Sequence, residues 1–434
     1  MDYSETIDFL FNRLPMFSKL GAMAYKSDLT NILILSKLLE NPEKKFKSVH
    51  IAGTNGKGST SHMLAAILQR AGYKTGLYTS PHLYDFRERI RVNGQMIPES
   101  FVTTFTGKLM PSIESIQPSF FEITVAMAFD WFVDQAVDIA VIEVGLGGRL
   151  DSTNIILPEL SVITNISYDH MDLLGNTLQK IALEKAGIIK PGIPVVVGEE
   201  QAEVKDVFLR IAEQNQAPIH FASRKRFVDD WKFNRHLLEV ELTDRHSNEK
   251  INYSLDLPGI YQTKNVVTVA EVVSLLNQRG FSIPETAIHS GLQNVKKLTG
   301  LHGRWDILHD EPLLVLDVGH NEGGMKEIAK QIELTAHEEL HLVIGMVKDK
   351  AIENILRHLP PTANYYFTKA RIPRALPETE LAAKAESIGL KGKIFPEVHQ
   401  ALQAAVDRAH PKDLILVCGS VFLAGEVNIK EIVF

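Results

Sequence analysis

A lysine, two hydroxyl side chains and three glycines fall within the short segment GTNGKGST (53–60). Glycine tolerates positive φ, so successive backbone N–H groups in such a segment can converge on one anion. Lys57 adds a mobile positive charge, and Ser59 or Thr60 adds a hydroxyl that can contact Mg²⁺. These features predict a loop that holds the phosphates of ATP. The predicted ATP-binding residues of this loop are Gly53, Thr54, Asn55, Gly56, Lys57, Gly58, Ser59 and Thr60.

The spacing of this loop differs from the ordinary Walker A pattern. Ile51 occupies the position of the first glycine of that pattern, and an additional glycine separates the lysine from the serine. The alternative interpretation is a glycine turn that binds no ligand. The β-rich run KSVHI (47–51) before the loop and the helix-forming residues 60–69 after it favour the phosphate-binding interpretation, because the phosphates would meet the N-terminus of a helix.

Two further polar side chains follow predicted buried strands. The apolar run VDIAVIEVG (137–145) contains Glu143 near its end, and the run ELSVITNI (159–166) is followed by a segment that contains His170. We expect the carboxylate and the imidazole to lie at the ends of two neighbouring strands. A carboxylate at such a place needs a cation as partner, although a purely structural role is the alternative for both residues.

Three arginines, Arg87, Arg89 and Arg91, follow the predicted strand KTGLYTS (74–80). One interpretation is a solvated basic face. The other is a loop that holds an anionic substrate close to the phosphate-binding loop. The sequence leaves both interpretations open.

The elements that must position these residues alternate between strands and helices, which predicts an α/β fold. The N-terminal part is predicted to be a P-loop-type, doubly wound and mostly parallel sheet, with a small β-meander at 225–257. A second αβ series begins near residue 313 and predicts a smaller, Rossmann-like domain. The predicted divisions are an ATP-binding domain at 1–296, a linker at 297–302 and a C-terminal domain at 303–434.

Composition excludes several classes of protein. Hydrophobic residues form 45% and charged residues 23% of the 434 positions, which is ordinary for a globular protein, and the formal net charge of −7 argues against nucleic acid as a partner. The acidic first residues and the absence of any run of about 18 apolar residues argue against export and membrane insertion. The single cysteine, Cys418, lies in the apolar run LILVCGS, which predicts a buried structural thiol and a cytoplasmic location.

Several stretches of the chain, in order, resemble folylpolyglutamate synthase/dihydrofolate synthase, within the group of ATP-dependent Mur-type amide ligases. The matching stretches are GTNGKGS (53–59), TSPHL (79–83), FFE (120–122), EVGLGGRLDSTN (143–154), YDHMDLLG (168–175), EKAGIIKPG (184–192), GRW (303–305) and DVGHN (317–321).

The resemblance implies an enzyme that joins L-glutamate to dihydropteroate, to reduced folates, or to both, and we expect a bifunctional monomer. Amide formation needs an activated carboxylate, which would attack the γ-phosphate of ATP and become an acyl phosphate. Two anions meet in that step, so positive charge near the phosphates is required. The catalytic residues implied by the resemblance are Lys57, Glu143, His170, Lys185 and His320.

The resemblance also implies two Mg²⁺ ions. Ser80 and Glu143 would hold one ion. His170 would hold the second, with Ser59 as a further hydroxyl contact. On its own, Lys185 is typical of a surface lysine on an amphipathic helix. The resemblance instead implies that it reacts with CO₂ to form a carbamate, an anionic ligand for the second ion.

The remaining implied contacts concern the nucleotide and the pterin-bearing substrate. Asn265, Arg304 and Asp317 match positions that contact the nucleotide. An aromatic pair would supply a flat wall for the pterin, and a carboxylate would accept hydrogen bonds from its ring N–H groups. The implied substrate residues are Phe120, Phe121, Glu122, Leu150, Asp151 and Ser152.

Two other classes of ATP-binding protein are alternatives to this function. Muramyl ligases carry a whole UDP-sugar domain before the phosphate-binding loop, and only 52 residues precede Gly53 here, which argues against most of them. A nucleotide switch or a small-molecule kinase would also bind ATP. ATP turnover that requires both a carboxylate substrate and glutamate would distinguish a ligase from a switch.

Overall fold

The structure is a computed structural model that describes residues 1–16, 21, 28–234, 236–348 and 351–434. Contacts divide the chain into two compact units. The first unit comprises Met1–Ile166, Met171–Asp256 and Gln262–Leu301, and the second comprises Ser167–His170, Leu257–Tyr261 and His302–Phe434. Among the described residues, we find no helix with the length and apolar character needed to cross a membrane.

The first unit contains two sheets. Its strands are β1 Lys47–Ala52, β2 Thr75–Tyr78, β3 Ile90–Val92, β4 Gln95–Met96, β5 Ile139–Glu143, β6 Leu160–Ile163, β7 Val195–Val197, β8 Ile219–Phe221, β9 Arg226–Asn234, β10 Leu237–Asp244 and β11 Lys250–Leu255. The eight-stranded sheet has the order β4-β3-β2-β5-β1-β6-β7-β8, and its strands are parallel apart from the antiparallel edge of β3 and β4. Strands β9, β10 and β11 form the predicted antiparallel meander.

Helices surround the large sheet. In the described part of the first unit they are α1 Tyr3–Arg13, α2 Thr30–Leu38, α3 Lys57–Arg70, α4 Glu99–Ile116, α5 Phe120–Asp134, α6 Met171–Leu174, α7 Leu178–Ala186, α8 Lys205–Gln214, α9 Ala222–Lys225, α10 Gln262–Gln278, α11 Glu285–Leu292 and α12 Val295–Thr299. Short 3₁₀ helices occur at Pro42–Lys44, Phe86–Arg89 and Ser152–Ile155. The central strands β1, β5 and β6 are buried almost throughout, as their continuous apolar sequences predict.

The second unit is a smaller α/β sheet. Its strands are β12 Asp306–Asp310, β13 Leu313–Leu316, β14 Leu340–Ile344, β15 Asn364–Phe367, β16 Gly392–Ile394 and β17 Leu414–Cys418, in the order β12-β13-β17-β14-β15-β16 with only β12 antiparallel. Its helices are α13 Glu322–Leu334, α14 Ile352–Leu356, α15 Glu378–Glu386, α16 Val398–Val406 and α17 Val421–Ala424, and a 3₁₀ helix lies at Ile429–Glu431. The predicted α/β fold class with two such sheets is confirmed. Cys418 is buried at the end of β17, as predicted.

One local expectation was wrong. Strands β5 and β6 are not neighbours, because β1 lies between them and pairs with both. The first three residues of the predicted linker at 297–302 complete helix α12. Thr299 is buried there, and its hydroxyl contacts His62 Nδ1 at 2.8 Å. The domain boundaries themselves stay a prediction.

Candidate functional site

The phosphate-binding loop follows β1, the strand at which the order of the large sheet changes direction. The chain proceeds from β1 to β2 on one side, and β6, β7 and β8 follow on the other side. In open parallel sheets, ligands bind at the carboxyl ends of the strands at such a point. The loop 53–56 therefore occupies the expected place for a ligand in this unit.

Helix α3 begins at Lys57, three residues earlier than the sequence indicated. Its N-cap is Gly56, which has a left-handed conformation with φ of 82°. A Cβ at this position would lie only 2.4 Å from Asn265 Oδ1, so the close approach of α10 also requires glycine. The first N–H groups of a helix lack intrahelical partners, so the start of α3 leaves backbone donors that are able to bind a phosphate.

Side chains outside the glycine motif hold the loop in shape. Asn165, which follows β6, accepts from Asn55 N through Oδ1 at 3.0 Å and from Thr54 N through its carbonyl at 2.9 Å. Thr164 Oγ1 donates to the carbonyl of Asn55 at 2.6 Å. Sequence reasoning missed both residues, although the polar pair at the end of an apolar strand was a signal for them.

A second support comes from the start of α10. Gln262 Nε2 donates to Ser59 Oγ at 3.2 Å, and Asn265 Nδ2 donates to Gln262 Oε1 at 2.7 Å. The structure thus brings the predicted residues Ser59 and Asn265 together through Gln262, which the sequence did not indicate. The hydroxyl of Thr60 is buried and has no hydrogen-bond partner among the described residues.

Two lysines converge on one carbonyl of the loop. Lys57 Nζ donates to the carbonyls of Gly53 and Thr54, each at 3.2 Å, and Lys185 Nζ donates to the carbonyl of Gly53 at 2.8 Å. Lys185 is only 4% exposed, so its interpretation as a surface lysine was wrong. Helix α7, which carries Lys185, is hydrogen-bonded to the glycine-rich loop after β5, since the backbone N–H of Arg149 donates to the carbonyl of Glu184 at 2.8 Å.

Glu143 and Ser80 are adjacent at the ends of β5 and β2, which lie on the side of β1 opposite to β6. Glu143 ends β5, and its Oε2 accepts from the backbone N–H of Ser80 at 3.2 Å, just after the neighbouring strand β2. The carboxylate is 4% exposed. The structure therefore brings together the two residues that were predicted to hold one Mg²⁺.

The donors present suit a hard divalent cation. In the described ranges of the chain, no three His, Cys, Asp or Glu side chains form a group that could hold a metal ion. Mg²⁺ in nucleotide sites is typically bound by one or two carboxylates together with phosphate oxygens and water. The carboxylate of Glu143 and the hydroxyl of Ser80 provide oxygen donors of that kind, so these residues fit the ion.

In the second unit, Asp317 lies at the centre of a buried hydrogen-bond cluster. Its Oδ2 accepts from Tyr261 Oη at 2.6 Å and from Trp305 N at 2.8 Å, and its Oδ1 accepts from Gly319 N at 2.8 Å. Burial raises the pKa of Asp317, while the hydrogen bonds oppose that change. Burial and the charge of Asp317 both raise the pKa of Tyr261. Arg304 Nη1 donates to the backbone carbonyls of His302 and Gly303, at 3.4 and 3.2 Å.

The predicted residues His170 and His320 both contact Asp169, which the sequence did not single out. His170 N donates to Asp169 Oδ1 at 2.9 Å, and His170 has a left-handed backbone with φ of 48°. His320 Nε2 lies 3.4 Å from Asp169 Oδ2, and Asn321 Nδ2 donates to the same oxygen at 2.9 Å. All of these residues belong to the second unit, so Asp169 joins the two histidines into one cluster.

The predicted pterin residues divide into two groups. Phe121 lies against Gly145, where a Cβ would be 2.4 Å from its Cζ atom, and Asp151 Oδ2 accepts from Leu146 N at 2.8 Å. Phe121 and Asp151 therefore contact the same loop after β5. Leu150 is half-buried beside Asp151, and Ser152 begins the 3₁₀ helix that follows.

Phe120 and Glu122 have structural contacts instead. Phe120 is 3% exposed and stacks on Phe11 with centroids 5.3 Å apart. Glu122 is 1% exposed, and its carboxylate accepts from Ser119 N at 2.6 Å in a capping box at the start of α5. The spacing S-x-x-E was a signal for this cap, which the sequence interpretation overlooked.

The interpretation of the arginines as a solvated basic face was wrong for two of the three. Arg89 and Arg91 are 8% and 9% exposed. Arg89 Nε donates to His82 Nδ1 at 2.8 Å, and Arg91 Nη1 donates to the carbonyl of Gly94 at 3.0 Å. Arg87 alone keeps carboxylate partners on the surface, namely Asp85 and Glu99.

Two protein-family models match parts of the chain. The Mur ligase middle domain matches residues 51–273, and the glutamate ligase domain of Mur ligases matches residues 303–421. The two matches together cover most of the chain. The fold and the phosphate-binding loop therefore define a Mur-type ligase.

Individual relatives narrow the class. The dihydrofolate synthase/folylpolyglutamate synthase of Bacillus subtilis is 33% identical over 439 residues, which covers 98% of each chain. The structure of E. coli FolC in complex with DHPP and ADP is 30% identical, with a TM-score of 0.83 over 98% of this chain and 96% of that one. A Yersinia pestis bifunctional folylpolyglutamate synthase/dihydrofolate synthase, complexed with AMPPNP and a Mn ion, is 26% identical, with a TM-score of 0.83 over 98% and 97% of the two chains. The chain belongs to the dihydrofolate synthase/folylpolyglutamate synthase family.

Proposed function

We propose that this chain is an ATP-dependent amide ligase that joins L-glutamate to dihydropteroate and to reduced folyl-(poly)glutamates, releasing ADP and phosphate. The observation that carries the proposal is the arrangement at the end of β1. A phosphate-binding loop, two lysines and an oxygen-donor pair lie at adjoining strand ends, in a chain whose two halves match the two Mur ligase domains.

The loop and its lysines would act on the nucleotide. The N–H groups at the start of α3 bind and orient the phosphates, and Lys57 places its ammonium group where negative charge develops during phosphoryl transfer. The carboxylate of the acid substrate attacks the γ-phosphorus, the bond to the β-phosphate oxygen breaks, and an acyl phosphate and ADP form. The amine of glutamate then attacks the acyl carbon, and phosphate leaves.

Two divalent ions are part of the proposal. Ser80 and Glu143 would hold one, and His170 with Ser59 would contribute to holding the second. When bound, Mg²⁺ supplies charge neutralisation for the meeting of two anions. Asn265, Arg304 and Asp317 would bind the nucleotide, and His320 would be oriented by Asp169. The structures of relatives with ADP, or with AMPPNP and a Mn ion, support the use of nucleotide and divalent metal.

Carbamylation of Lys185 is the least ordinary part of the proposal. Its buried ammonium group shares the Gly53 carbonyl with Lys57, so two positive charges lie close together. In its neutral form the Lys185 amine would attack CO₂, form an N–C bond and release a proton. The product replaces a cation by an anion beside Lys57, which removes the repulsion between like charges and provides an oxygen donor.

The acid substrate would lie at the loop that Phe121 and Asp151 share. Phe121 offers an aromatic surface for a flat ring, and Asp151 offers a carboxylate for ring N–H groups. Leu150 and Ser152 flank Asp151 and complete this part of the proposal. Phe120 and Glu122 would support the site from behind, since the core and the helix cap occupy them.

The function is tested with purified protein, ATP, Mg²⁺ and L-glutamate. One reaction receives dihydropteroate and another receives tetrahydrofolate, and released phosphate and product mass are measured. We expect a glutamylated product in both reactions. Product in one reaction alone would restrict the enzyme to that step, and ATP hydrolysis without either acid would favour the nucleotide-switch alternative.

We also propose that the protein is a cytoplasmic monomer. The single cysteine motivates the location, and the family resemblance motivates the monomer. Light scattering should give a mass near 48.5 kDa. A mass near twice that value contradicts the monomer, and recovery of the protein with the membrane or exported fraction of its cell contradicts the location.

A further inference from the structure

A buried chain of hydrogen bonds connects β1 to the proposed substrate loop. His50 Nε2 lies 2.8 Å from Thr153 Oγ1, and Thr153 Oγ1 lies 2.5 Å from Asp151 Oδ1. His50 and Thr153 are fully buried, and Asp151 is 4% exposed. His50 precedes the phosphate-binding loop by three residues, whereas the other two residues belong to the segment after β5.

The donor and acceptor properties of the three side chains allow only one direction of hydrogen bonding. An ionised carboxylate only accepts, so the hydroxyl of Thr153 must donate its proton to Asp151. The same hydroxyl then accepts from His50, whose Nε2 must carry the hydrogen. His50 Nδ1 is buried and has no hydrogen-bond partner among the described residues, which agrees with a bare nitrogen at that position. Burial lowers the pKa of His50 to about 3, so the ring is neutral and donates from one nitrogen only.

Asp151, the last group in this chain of hydrogen bonds, is itself hydrogen-bonded to the loop that carries the proposed substrate contacts. Asp151 Oδ1 also accepts from Thr153 N at 3.0 Å, and Oδ2 accepts from Leu146 N. The carboxylate is therefore fixed on both oxygens, and it fixes the backbone against which Phe121 packs. A carboxylate held in this way is presented in one orientation, which reduces the ordering that binding would otherwise require.

We propose that His50 and Thr153 are positioning residues that orient Asp151 for the acid substrate. The inference rests on the proposed function, because it assumes that Asp151 contacts that substrate. Neither residue belongs to the set proposed to bind ATP, and their hydrogen bonds lead to Asp151. Removing the hydrogen bonds from His50 through Thr153 to Asp151 should therefore weaken binding of the acid substrate and leave the nucleotide site intact.

The test compares Thr153→Val with Thr153→Ser. Valine has the shape of threonine but cannot donate to Asp151 or accept from His50, whereas serine retains the hydroxyl. The control is Ser161→Ala, because Ser161 is the register partner of His50 on β6 and is equally buried. Its hydroxyl donates to the carbonyl of Ile188 at 2.8 Å and takes no part in the chain.

The measurements are KM for the acid, KM for ATP, kcat and Tm. The acid is dihydropteroate, or tetrahydrofolate if the wild type accepts only that compound. We expect Thr153→Val to raise KM for the acid about 10-fold, as for one lost hydrogen bond to a charged group, with little change in KM for ATP. Thr153→Ser should be close to wild type, and Ser161→Ala should lower Tm without changing the ratio of the two KM values.

Each other outcome overturns the inference in a recognisable way. Equal changes in both KM values for Thr153→Val, or the same profile for Ser161→Ala, would show a general structural role. An unchanged KM for the acid, or serine as harmful as valine, would show that the chain does not position Asp151. If the wild type forms no product with either acid, the proposed function and this inference fall together.

Discussion

At the scale of single residues, Lys185 is the side chain whose environment differs most from its sequence context. It is buried and donates to the carbonyl of Gly53, beside Lys57. If it becomes an anionic metal ligand, Lys185→Ala should lower kcat on the order of 100-fold, because charge stabilisation of the transferring phosphoryl group is lost. Lys185→Glu should restore part of the activity by supplying a carboxylate, as measured by product formation.

Lys180→Ala is the matched control for this prediction. Lys180 lies on the same helix, α7, but is exposed to solvent. The control should keep wild-type kcat and confirm that the helix tolerates alanine. Full activity in both Lys185 variants would contradict the carbamate, and Lys185→Glu as inactive as Lys185→Ala would leave no support for an anionic role.

At the scale of elements, the strand, loop and helix unit depends on Gly56. Gly56→Ala places a Cβ 2.4 Å from Asn265 Oδ1 and forces a left-handed conformation on a non-glycine residue. The conformation alone costs about 1–2 kcal/mol, and the clash displaces either the loop or α10. We expect lower Tm together with loss of ATP binding of at least about 10-fold, measured by calorimetry.

The variant Gly72→Ala separates the effect of backbone strain from the effect of the clash with Asn265. Gly72 has a similar φ of 91°, but a Cβ there would meet no atom within 4 Å. This variant should lose stability through strain alone and bind ATP normally. Equal ATP affinities in the two variants would show that the contact between Gly56 and Asn265 does not shape the nucleotide site.

At the scale of the whole molecule, stability should depend on pH through buried histidine. The pKa of His50 is lowered to about 3 by burial and by the nearby charge of Lys190, whereas an unfolded histidine titrates near 6.5. Between these values the unfolded chain binds more protons, so stability falls as the pH falls below 6.5. The loss from this residue should reach about 2 kcal/mol between pH 6.5 and pH 5, at 1.36 kcal/mol per pH unit.

The contribution of His50 is isolated by His50→Asn, which removes the titrating ring. Melting temperatures of both proteins are measured between pH 7 and pH 5. The variant should start lower, since it alters a buried contact, but its melting temperature should depend less on pH. If the melting temperatures of the two proteins depend on pH in the same way, His50 is not the source of the acid sensitivity, and other groups must cause it.

Local signals in the sequence determined much of this protein. The glycine-rich loop, the buried runs that became β1, β5 and β6, and the meander at 225–257 were all recognised, because glycine spacing and hydrophobic periodicity act over a few residues. The placement of Glu143 at the end of a strand follows from the same local pattern. So does the capping box of Ser119 and Glu122, which was readable but overlooked.

The tertiary structure alone decided which side chains meet. Strand order is a matter of pairing between distant segments, so the position of β1 between β5 and β6 could not be derived from either run. The burial of Lys185 and Arg89 likewise depends on elements far away in the chain, whereas charge by itself predicts exposure. The hydrogen-bond chain from His50 to Asp151 joins residues 101 positions apart, and only the folded sheet brings them within reach.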